Sequence, residues 1–241
     1  MANSKLSGPF IKIHERDLRG RTNIGWLNSK HTFSFGGFMD PTRMGFRSLR
    51  VVNDDIVAPG GGFGTHLHDN MEIISIVLDG ALEHRDSMGN GSVIRPGEIQ
   101  KMSAGTGITH SEYNHSKSSP VHFYQIWIIP DKREITPGYE QITLDPAKFK
   151  NGFALVGDRH GGDGHISICQ DARMYLSMPG EGATITYNFA EGRYGFLQVA
   201  HGQVLLQGKT LEEGDGIEIS GMQTLNLLAL TDAELILFDI A

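Results

Sequence analysis

Residues 73–83 read Ile73-Ile74-Ser75-Ile76-Val77-Leu78-Asp79-Gly80-Ala81-Leu82-Glu83. The apolar run at the beginning has the length of a β-strand and is too short for a typical helix. An Asp-Gly pair follows it, and a second strand-like segment begins directly afterwards. Asp-Gly between two such segments is a strong short-range signal for a β-hairpin. The stretch therefore predicts two antiparallel strands connected by a tight turn.

Similar strand-length segments occur along the rest of the chain. They include residues 121–129, 196–199 and 234–238, which are apolar or alternate between apolar and polar residues. Turn signals such as Met-Gly-Asn-Gly at residues 88–91 and Glu-Gly-Asp-Gly at residues 213–216 lie between strands. The 31 glycines are scattered through the 241 residues, which suits a chain with many tight turns. Because no long amphipathic helix is evident, the sequence predicts an all-β fold of the sandwich or barrel type.

A polar, charged segment at residues 131–138, which ends in Pro-Gly, divides the chain into two halves. Each half contains a strand, a turn with glycine and a second strand, and then another glycine turn before a third strand. This pattern covers residues 77–98 in the first half and residues 199–215 in the second. Such a repeat suggests duplication of one small barrel. We therefore expect two β-barrel domains in tandem, at residues 1–136 and 137–241.

Composition and charge argue against several classes of protein. Hydrophobic residues make up 39% and charged residues 20% of the chain, which is ordinary for a soluble globular protein. The net charge is −7, and lysine and arginine form no run that would neutralise several phosphates, so we expect no direct binding of nucleic acid. We also expect no signal peptide and no membrane span. Because Cys169 is the single cysteine, no intrachain disulfide can form, and we expect a cytoplasmic protein.

Two short motifs carry residues that ligate metals. Thr65-His66-Leu67-His68 places two imidazoles on one face of a strand, because residues i and i+2 point the same way. Thr109-His110-Ser111-Glu112 does the same for an imidazole and a carboxylate. If the two strands face each other, three imidazole nitrogens and one carboxylate oxygen converge on one point. That donor set suits first-row divalent ions such as Fe(II), Cu(II), Ni(II), Mn(II) or Zn(II).

A His-x-His triplet alone is weak evidence, because it arises readily by chance in a chain with 11 histidines. The glycines before each motif strengthen the interpretation as a metal site. Residues 59–64 read Pro-Gly-Gly-Gly-Phe-Gly, and residues 104–107 read Ala-Gly-Thr-Gly. Glycine at these positions lets the backbone approach a small buried centre closely.

Both motifs lie in longer patterns that resemble those of the cupin superfamily. Residues 62–80 resemble the first cupin motif, with one extra residue before the closing glycine. Residues 104–114 resemble the second, although Ser103-Ala104-Gly105 replaces the usual Pro-x-Gly. Within the cupins, the sequence is most similar to the pirin family. The segments that carry this resemblance are Trp26-Leu27, His31-Thr32-Phe33-Ser34-Phe35, Met44-Gly45-Phe46, Leu49-Arg50-Val51, Phe63–His68, His84–Gly89, Met102–Glu112 and Gln125–Ile128.

The resemblance implies two jelly-roll-like cupin domains, with one metal ion in the N-terminal domain and none in the degenerate C-terminal domain. The family's ligands correspond here to His66, His68, His110 and Glu112, and all four positions match. Leu67 stands where pirins commonly have proline, a difference that affects no ligand. Fe(II) is the ion implied first, with Cu, Ni, Mn, Co and Zn as alternatives.

Glu72 is a rival ligand, because cupins in general often use the carboxylate of their first motif. Strand parity from His68 places Glu72 on the same face. The pirin pattern favours Glu112 instead, so we expect Glu72 beside the site, where it would orient an imidazole N–H. Of the other histidines, we expect His84 in solvent and His122 in a hydrogen bond on a strand.

The resemblance also implies an activity, because several pirin-like proteins cleave flavonols such as quercetin, inserting O2 into the C ring and releasing carbon monoxide. Four protein ligands leave one or two positions on the ion for a flavonol oxygen. The expected catalytic residues are Glu112 and His68. We expect a monomer whose partners are O2 and a small aromatic substrate. The expected apolar lining of its site consists of Phe33, Phe35, Phe63 and Met102.

Two other functions stay open at this level. Eukaryotic pirins are described as transcriptional co-regulators whose metal oxidation state sets their surface charge, and a bacterial relative as a partner of pyruvate dehydrogenase. A redox-sensing module that binds a protein partner, without catalysis, is therefore the main alternative. A purely structural metal is less favoured, because structural sites typically have Cys or His ligands rather than a glutamate.

Overall fold

The structure, a computed structural model, describes residues 10–241. These residues form strands and two short 3-10 helices, Arg16–Leu18 and Pro146–Phe149, so the all-β prediction is confirmed. Neither helix in this described range has the length and hydropathy needed to cross a membrane.

The strands are numbered in chain order. The first eleven are β1 (Phe10–His14), β2 (Gly20–Asn23), β3 (Leu27–His31), β4 (Leu49–Val57), β5 (Gly62–His68), β6 (Glu72–Asp79), β7 (Leu82–Asp86), β8 (Gly91–Ile94), β9 (Glu98–Ser103), β10 (Ile108–Asn114) and β11 (Val121–Ile128). The others are β12 (Gly138–Thr143), β13 (Ala154–Asp158), β14 (Ile166–Ser167), β15 (Ala172–Ser177), β16 (Thr184–Asn188), β17 (Tyr194–His201), β18 (Gln203–Leu206), β19 (Lys209–Glu212), β20 (Gly216–Ser220), β21 (Thr224–Ala229) and β22 (Glu234–Ile240).

The described residues divide into two compact units. The N-terminal unit consists of Arg19–Asp145 and Arg159–Gln170, and the C-terminal unit of residues 10–18, Pro146–Asp158 and Asp171–Ala241. In the N-terminal unit, a large sheet has the order β12-β9-β6-β11-β4-β3-β2 and a small sheet the order β5-β10-β7-β8. In the C-terminal unit, the corresponding orders are β1-β20-β17-β22-β15-β13 and β16-β21-β18-β19. Each unit therefore has the paired antiparallel sheets of a jelly-roll domain.

The boundary predicted between residues 136 and 137 differs from this division at three strands: β14 belongs to the N-terminal unit with Arg159–Gln170, and β1 and β12 each join a sheet on the other side of the predicted boundary. β1 lies near the N-terminus of the chain but pairs with β20, from Phe10 opposite Ser220 to His14 opposite Gly216. β12 follows residue 136 but pairs with β9 of the N-terminal unit. β1 and β12 each satisfy backbone groups at the edge of a large sheet. Such pairing depends on contacts between distant segments, which a local sequence pattern does not indicate.

In the N-terminal unit, the inward residues of the large sheet form a polar layer between two apolar layers. Along β6, Val77 and Ile73 belong to separate apolar clusters, and Ser75 lies between them in the strand and is buried. The residues opposite these three on β11 are Phe123, Trp127 and Gln125. Because directly opposite residues share a face, the polar layer continues from strand to strand.

In the C-terminal unit, one apolar cluster draws side chains from both sheets. Leu197 on β17 and Leu237 on β22 come from the large sheet. Val204 on β18 and Leu225 on β21 come from the small sheet. Removal of these apolar side chains from water is the main force that holds the two sheets together.

Gly62 on β5 allows the backbones of β5 and β10 to approach each other. A Cβ atom at Gly62 would lie 2.5 Å from the carbonyl oxygen of Glu112 and 2.6 Å from Cα of Tyr113. Because the backbone of β10 would have to move, we expect Gly62→Ala to lower the free energy of unfolding by about 1–3 kcal/mol. Urea denaturation followed by circular dichroism measures this change.

Gly91→Ala is the matched control, because β8 belongs to the same sheet and a Cβ atom at Gly91 would meet its nearest atom at 4.0 Å. We expect this substitution to change the free energy of unfolding by less than about 0.5 kcal/mol. Equal destabilisation by the two substitutions would contradict a special requirement for glycine at position 62.

Candidate metal centre

Three of the predicted ligands are histidines on neighbouring strands of the small sheet. His66 and His68 lie on β5, and His110 lies on β10 directly opposite His66. The Nε2 atoms of His66 and His110 are 3.1 Å apart, and the rings of His68 and His110 have centroids 4.9 Å apart. One ring nitrogen from each histidine lies within 4.8 Å of those of the other two. The structure therefore brings the two histidine motifs together.

Glu112, the fourth predicted ligand, lies on β10 and is 1% exposed. The pairing of β10 with β5 shifts between His110, which is opposite His66, and Glu112, which is opposite Phe63. At this point β5 therefore contains one more residue than β10, as in a β-bulge. Ligand atoms of Glu112, His110 and His84 lie within 4.8 Å of one another. His110 therefore belongs to both groups, which together contain all four predicted ligands.

The large sheet holds the carboxylate of Glu112 in place. Gln125 Nε2 donates a hydrogen bond to Oε2 at 2.6 Å, and Ser75 Oγ donates one to Oε1 at 3.3 Å. Trp127 Nε1 donates in turn to Gln125 Oε1 at 3.3 Å, which directs the NH2 group of Gln125 toward Glu112. Each carboxylate oxygen has a further lone pair with which it can bind a cation.

The electrostatics of these residues fit a divalent ion. Burial and the nearby His66 lower the pKa of His110 to about 3, and burial lowers the pKa of His68 to about 4. Both rings are therefore neutral at pH 7 and present a lone pair, as metal binding requires. Burial also raises the pKa of Glu112 to about 7, because the charged form has lost its hydration. A cation beside the carboxylate would compensate for that loss.

Glu72 does not contact an imidazole, which corrects its expected orienting role. It lies at the beginning of β6, where Ser103 Oγ donates to its Oε2 at 3.0 Å and the backbone N–H of Cys169 does so at 3.3 Å. Lys101 Nζ is 3.8 Å from the same oxygen. Residues 69–71 lie between β5 and β6, so strand parity does not continue from His68 to Glu72.

His84 was expected in solvent, but it is fully buried beside His110. His84 and Asp86 point inward from β7, whereas Arg85 between them is exposed. The ring centroid of His84 is 5.3 Å from that of His110 and 5.0 Å from that of Tyr139. In the sequence, His84 alternates with Glu83 and Arg85 and shares a strand face with Leu82, which is a signal for burial, but only the pairing of β7 with β10 places the ring at the centre.

The prediction for His122 is confirmed. His122 lies on β11, and its Nε2 atom is 2.6 Å from Oδ1 of Asp54. Arg19 donates a hydrogen bond to the other oxygen of Asp54 at 2.9 Å. Because His122 alternates with the inward-facing Phe123, it lies on the opposite face of the large sheet from the three clustered histidines.

A cavity of about 530 Å³ adjoins the centre, and its walls include His66, His68 and Glu112. Two tryptophans that sequence reasoning did not assign also line it. The ring of Trp127 packs edge-on against His68, with centroids 4.9 Å apart, and Trp26 lies in another part of the wall. The candidate ligands and a set of aromatic rings thus face one shared space.

Two of the four aromatic or apolar residues predicted for the lining occupy it. Phe35 and Phe63 line the cavity, as expected. Phe33 and Met102 do not, because they are 1% and 0% exposed and are packed in the interior. Met102 lies on β9, whereas Phe33 lies in the connection between β3 and β4, and the direction of each side chain depends on tertiary contacts that the sequence does not show.

Two family profiles match the chain. The profile described as Pirin matches residues 13–128. The profile described as Quercetinase C-terminal cupin domain matches residues 155–240. Both expected cupin domains are therefore supported by the sequence of the chain as well as by its fold.

Known proteins are similar to the chain over nearly its whole length. Quercetin 2,3-dioxygenase of Escherichia coli strain K12 is 43% identical over 231 residues, which cover 96% of this chain and 99% of that protein. The crystal structure of YhhW from Escherichia coli has a TM-score of 0.92 at 43% identity and covers 96% of this chain and 98% of its own. A structure of bacterial pirin YhhW in complex with nickel(II) has a TM-score of 0.90 at 42% identity, with coverage of 96% and 99%.

The two buried glutamates allow a test of the ligand assignment. We expect Glu112→Gln to lower the affinity for a divalent ion by more than about 100-fold, because it removes a charged oxygen beside His110. We expect Glu72→Gln to change it by less than about 10-fold, because Glu72 contacts Ser103 and Cys169 instead. Competition with a chromogenic chelator measures both affinities. Equal losses, or a larger loss in Glu72→Gln, would contradict the assignment.

The two groups of ligand-type side chains share His110 and therefore predict a single ion. We expect elemental analysis of protein purified without chelators to find about one divalent ion per chain. The double variant His66→Ala with His110→Ala should lose it, because two of the imidazole donors are removed. A content near two ions per chain, or full occupancy in the double variant, would contradict this site.

Proposed function

The chain belongs to the pirin family, and from this premise we propose that it is a metal-dependent dioxygenase that cleaves flavonols such as quercetin. The reaction inserts both atoms of O2 into the products and releases one ring carbon as carbon monoxide. In this proposal His66, His68, His110 and Glu112 hold one divalent ion in the N-terminal domain.

The observation that carries the proposal is the shared cavity. His66, His68 and Glu112 line the same space of about 530 Å³ as the aromatic residues. Aromatic rings in the wall suit a flat, polycyclic aromatic ligand, and the adjoining donors would bring its hydroxyl groups to the ion. The aromatic residues of the wall are Trp26, Phe35, Phe63 and Trp127.

The side chains around the ion have separate roles in this proposal. When bound, the ion supplies Lewis acidity toward a flavonol hydroxyl and redox chemistry toward O2. Glu112 lines the cavity beside the histidines, so one of its carboxylate oxygens is suited to accept the hydroxyl proton. Gln125 and Ser75 keep that carboxylate in position. His68 and Trp127 both line the cavity, and their edge-on contact fixes the ring of His68 on one side of the site.

We propose Fe(II) as the ion in the cell. Three imidazoles and one carboxylate suit Fe(II), Ni(II), Cu(II), Mn(II), Co(II) and Zn(II), so the donor set alone does not select among them. Histidine and carboxylate ligands with free positions are typical of non-heme Fe(II) oxygenases, which supports iron. The Escherichia coli relative forms a complex with nickel(II), so the test of activity should include that ion.

We further propose that the C-terminal domain, residues 137–241 by the sequence, carries no metal and has a structural role. In the part of the chain that the structure describes, both groups of three ligand-type side chains belong to the N-terminal unit, which supports this division. The single cysteine, Cys169, supports a cytoplasmic location, where thiols stay reduced. We expect the protein to act as a monomer, because each chain supplies a full ligand set.

Quercetin turnover tests the proposed activity. We expect metal-loaded protein to remove the quercetin absorption band in air and to release about one carbon monoxide per quercetin consumed. Removal of O2 should slow the reaction, and His68→Ala should abolish it, because one donor of the centre is lost. The matched control is His201→Ala, whose imidazole is exposed in the C-terminal unit and bonds Glu213, and we expect it to keep full activity.

Carbon monoxide must be measured together with the spectrum, because a flavonol chelates many metal ions and a spectral shift alone reports binding. Protein loaded separately with each of the six ions distinguishes the native metal from an inactive substitute. If every loaded form binds quercetin and none releases carbon monoxide, the dioxygenase proposal is wrong. A redox-sensing module would then be the leading function, and binding of a protein partner should depend on the oxidation state of the ion.

A further inference from the structure

Two of the histidines in the centre have different partners for their second ring nitrogen. His66 Nδ1 donates a hydrogen bond to the backbone oxygen of Gly64 at 2.7 Å, because a carbonyl oxygen can only accept. This hydrogen bond leaves the lone pair of His66 on Nε2. His110 has no such carbonyl partner; its Nδ1 atom lies 3.5 Å from Nδ1 of His84. Two ring nitrogens face each other there, and one must donate while the other accepts.

The direction of that hydrogen bond follows from the other nitrogen of His84. His84 Nε2 lies 3.2 Å from Oδ2 of Asp86, and the side chains of both residues are 0% exposed. A carboxylate only accepts, so His84 must carry its proton on Nε2. A neutral histidine carries one ring proton, so the lone pair of His84 is on Nδ1. His84 Nδ1 is then the acceptor, and His110 Nδ1 must be the donor.

Asp86 is well fixed for this role. Its Oδ1 accepts the backbone N–H groups of Met88 at 2.9 Å and Asn90 at 3.0 Å, and its Oδ2 accepts the Asn90 side chain at 2.8 Å. These donors belong to the tight turn after β7, which therefore holds the carboxylate as an acceptor. The ring of Tyr139 lies 5.0 Å from that of His84 at an interplanar angle of 33° and limits its rotation.

We propose that Asp86 and His84 are positioning residues that hold His110 in the tautomer with its proton on Nδ1. The lone pair of His110 is then on Nε2, the atom that lies 3.1 Å from His66 Nε2 and faces the centre. Two lone pairs at this distance repel each other unless a cation lies beside both, so the proposed tautomer is that of the metal-loaded protein. The hydrogen bonds run in one direction: from His110 Nδ1–H to His84 Nδ1, and from His84 Nε2–H to Asp86. This inference rests on the proposed metal site, and it assigns to His84 and Asp86 the orienting role that Glu72 does not have.

Asp86→Asn tests the direction of the hydrogen bonds with little change of shape. The Asn Oδ1 atom can still accept the two backbone N–H groups of the turn, whereas its NH2 group would donate to His84 Nε2 and to the side-chain oxygen of Asn90 after that amide has turned over. His84 would then carry its proton on Nδ1, facing His110, and the lone pair of His110 would turn toward His84. We expect the affinity for Ni(II) to fall 10–100-fold in competition with a chelator.

The matched control is Glu83→Gln, because Glu83 lies on the same strand and the substitution removes the same charge. Its side chain points outward to Arg85 and His115. We expect the Ni(II) affinity of Glu83→Gln to stay within threefold of the unmodified protein. An equal loss of Ni(II) affinity in Glu83→Gln and Asp86→Asn would mean that only the removed charge matters. The proposed hydrogen bonds from His110 through His84 to Asp86 would then be wrong.

The second readout reports the direction of the hydrogen bonds and requires no activity. Long-range proton–nitrogen correlation spectra of the full-length protein loaded with diamagnetic Zn(II) distinguish a protonated ring nitrogen from an unprotonated one, and the spectrum of His84→Phe assigns the signals of His84. We expect His84 to be protonated on Nε2 in the unmodified protein and in Glu83→Gln, and on Nδ1 in Asp86→Asn. Protonated Nδ1 of His84 in the unmodified protein, or no change in Asp86→Asn, would overturn the proposal.

His84→Phe keeps a planar ring against Tyr139 while removing both nitrogens. We expect it to keep its fold by circular dichroism and to lose Ni(II) affinity in the same 10–100-fold range. An unchanged Ni(II) affinity in folded His84→Phe would overturn the positioning role of His84 and Asp86, but it would not contradict the metal site. Retention of Ni(II) by the His66→Ala with His110→Ala variant would instead overturn the metal site itself, so the two failures are distinguishable.

Discussion

The buried carboxylate of Glu112 is the constraint on which the arrangement of the N-terminal unit depends. A carboxylate that is 1% exposed has lost most of its hydration, and such a group persists only when hydrogen bonds or a cation replace the water. Gln125 and Ser75 supply the hydrogen bonds from the large sheet, whereas Glu112 belongs to the small sheet. The carboxylate is therefore satisfied only while the two sheets keep their register and their separation.

The polar layer between two apolar layers follows from this requirement. On β6, Ser75 is the inward residue between Ile73 and Val77, each of which belongs to its own apolar cluster. A slip of β6 by one residue would turn Ser75 away and bring Ile74 or Ile76 inward, because side chains alternate between the two faces of a sheet. The same slip would remove a donor from Glu112 and break both apolar clusters. The apolar packing of Ile73 and Val77 and the hydrogen bond from Ser75 to Glu112 thus select the same register of β6.

The orientation of the histidines depends on one contact within a strand and on one contact between strands. The carbonyl of Gly64, two residues before His66, directs one imidazole, so this contact is set within β5. The contact between His110 and His84 joins β10 to β7 and requires the whole small sheet. Neutral rings with defined lone pairs, a fixed carboxylate and a cavity with aromatic walls are what a metal-dependent oxygenase needs before its substrate arrives. In this chain the small sheet supplies the rings, and the large sheet supplies the donors that fix the carboxylate.

The sequence by itself determined the all-β fold, its two repeated halves and the metal-binding motifs, because each depends on short-range features. Strand length, glycine turns and the i, i+2 spacing of His66 with His68 are properties of a few consecutive residues. Tertiary structure alone decided the burial of His84, the turning of Glu72 away from the imidazoles and the pairing of β1 with β20. These outcomes depend on which distant strands become neighbours. A strand pattern shows that a residue alternates with its neighbours in the chain, but the face that turns inward is chosen by the free energy of the assembled sheets.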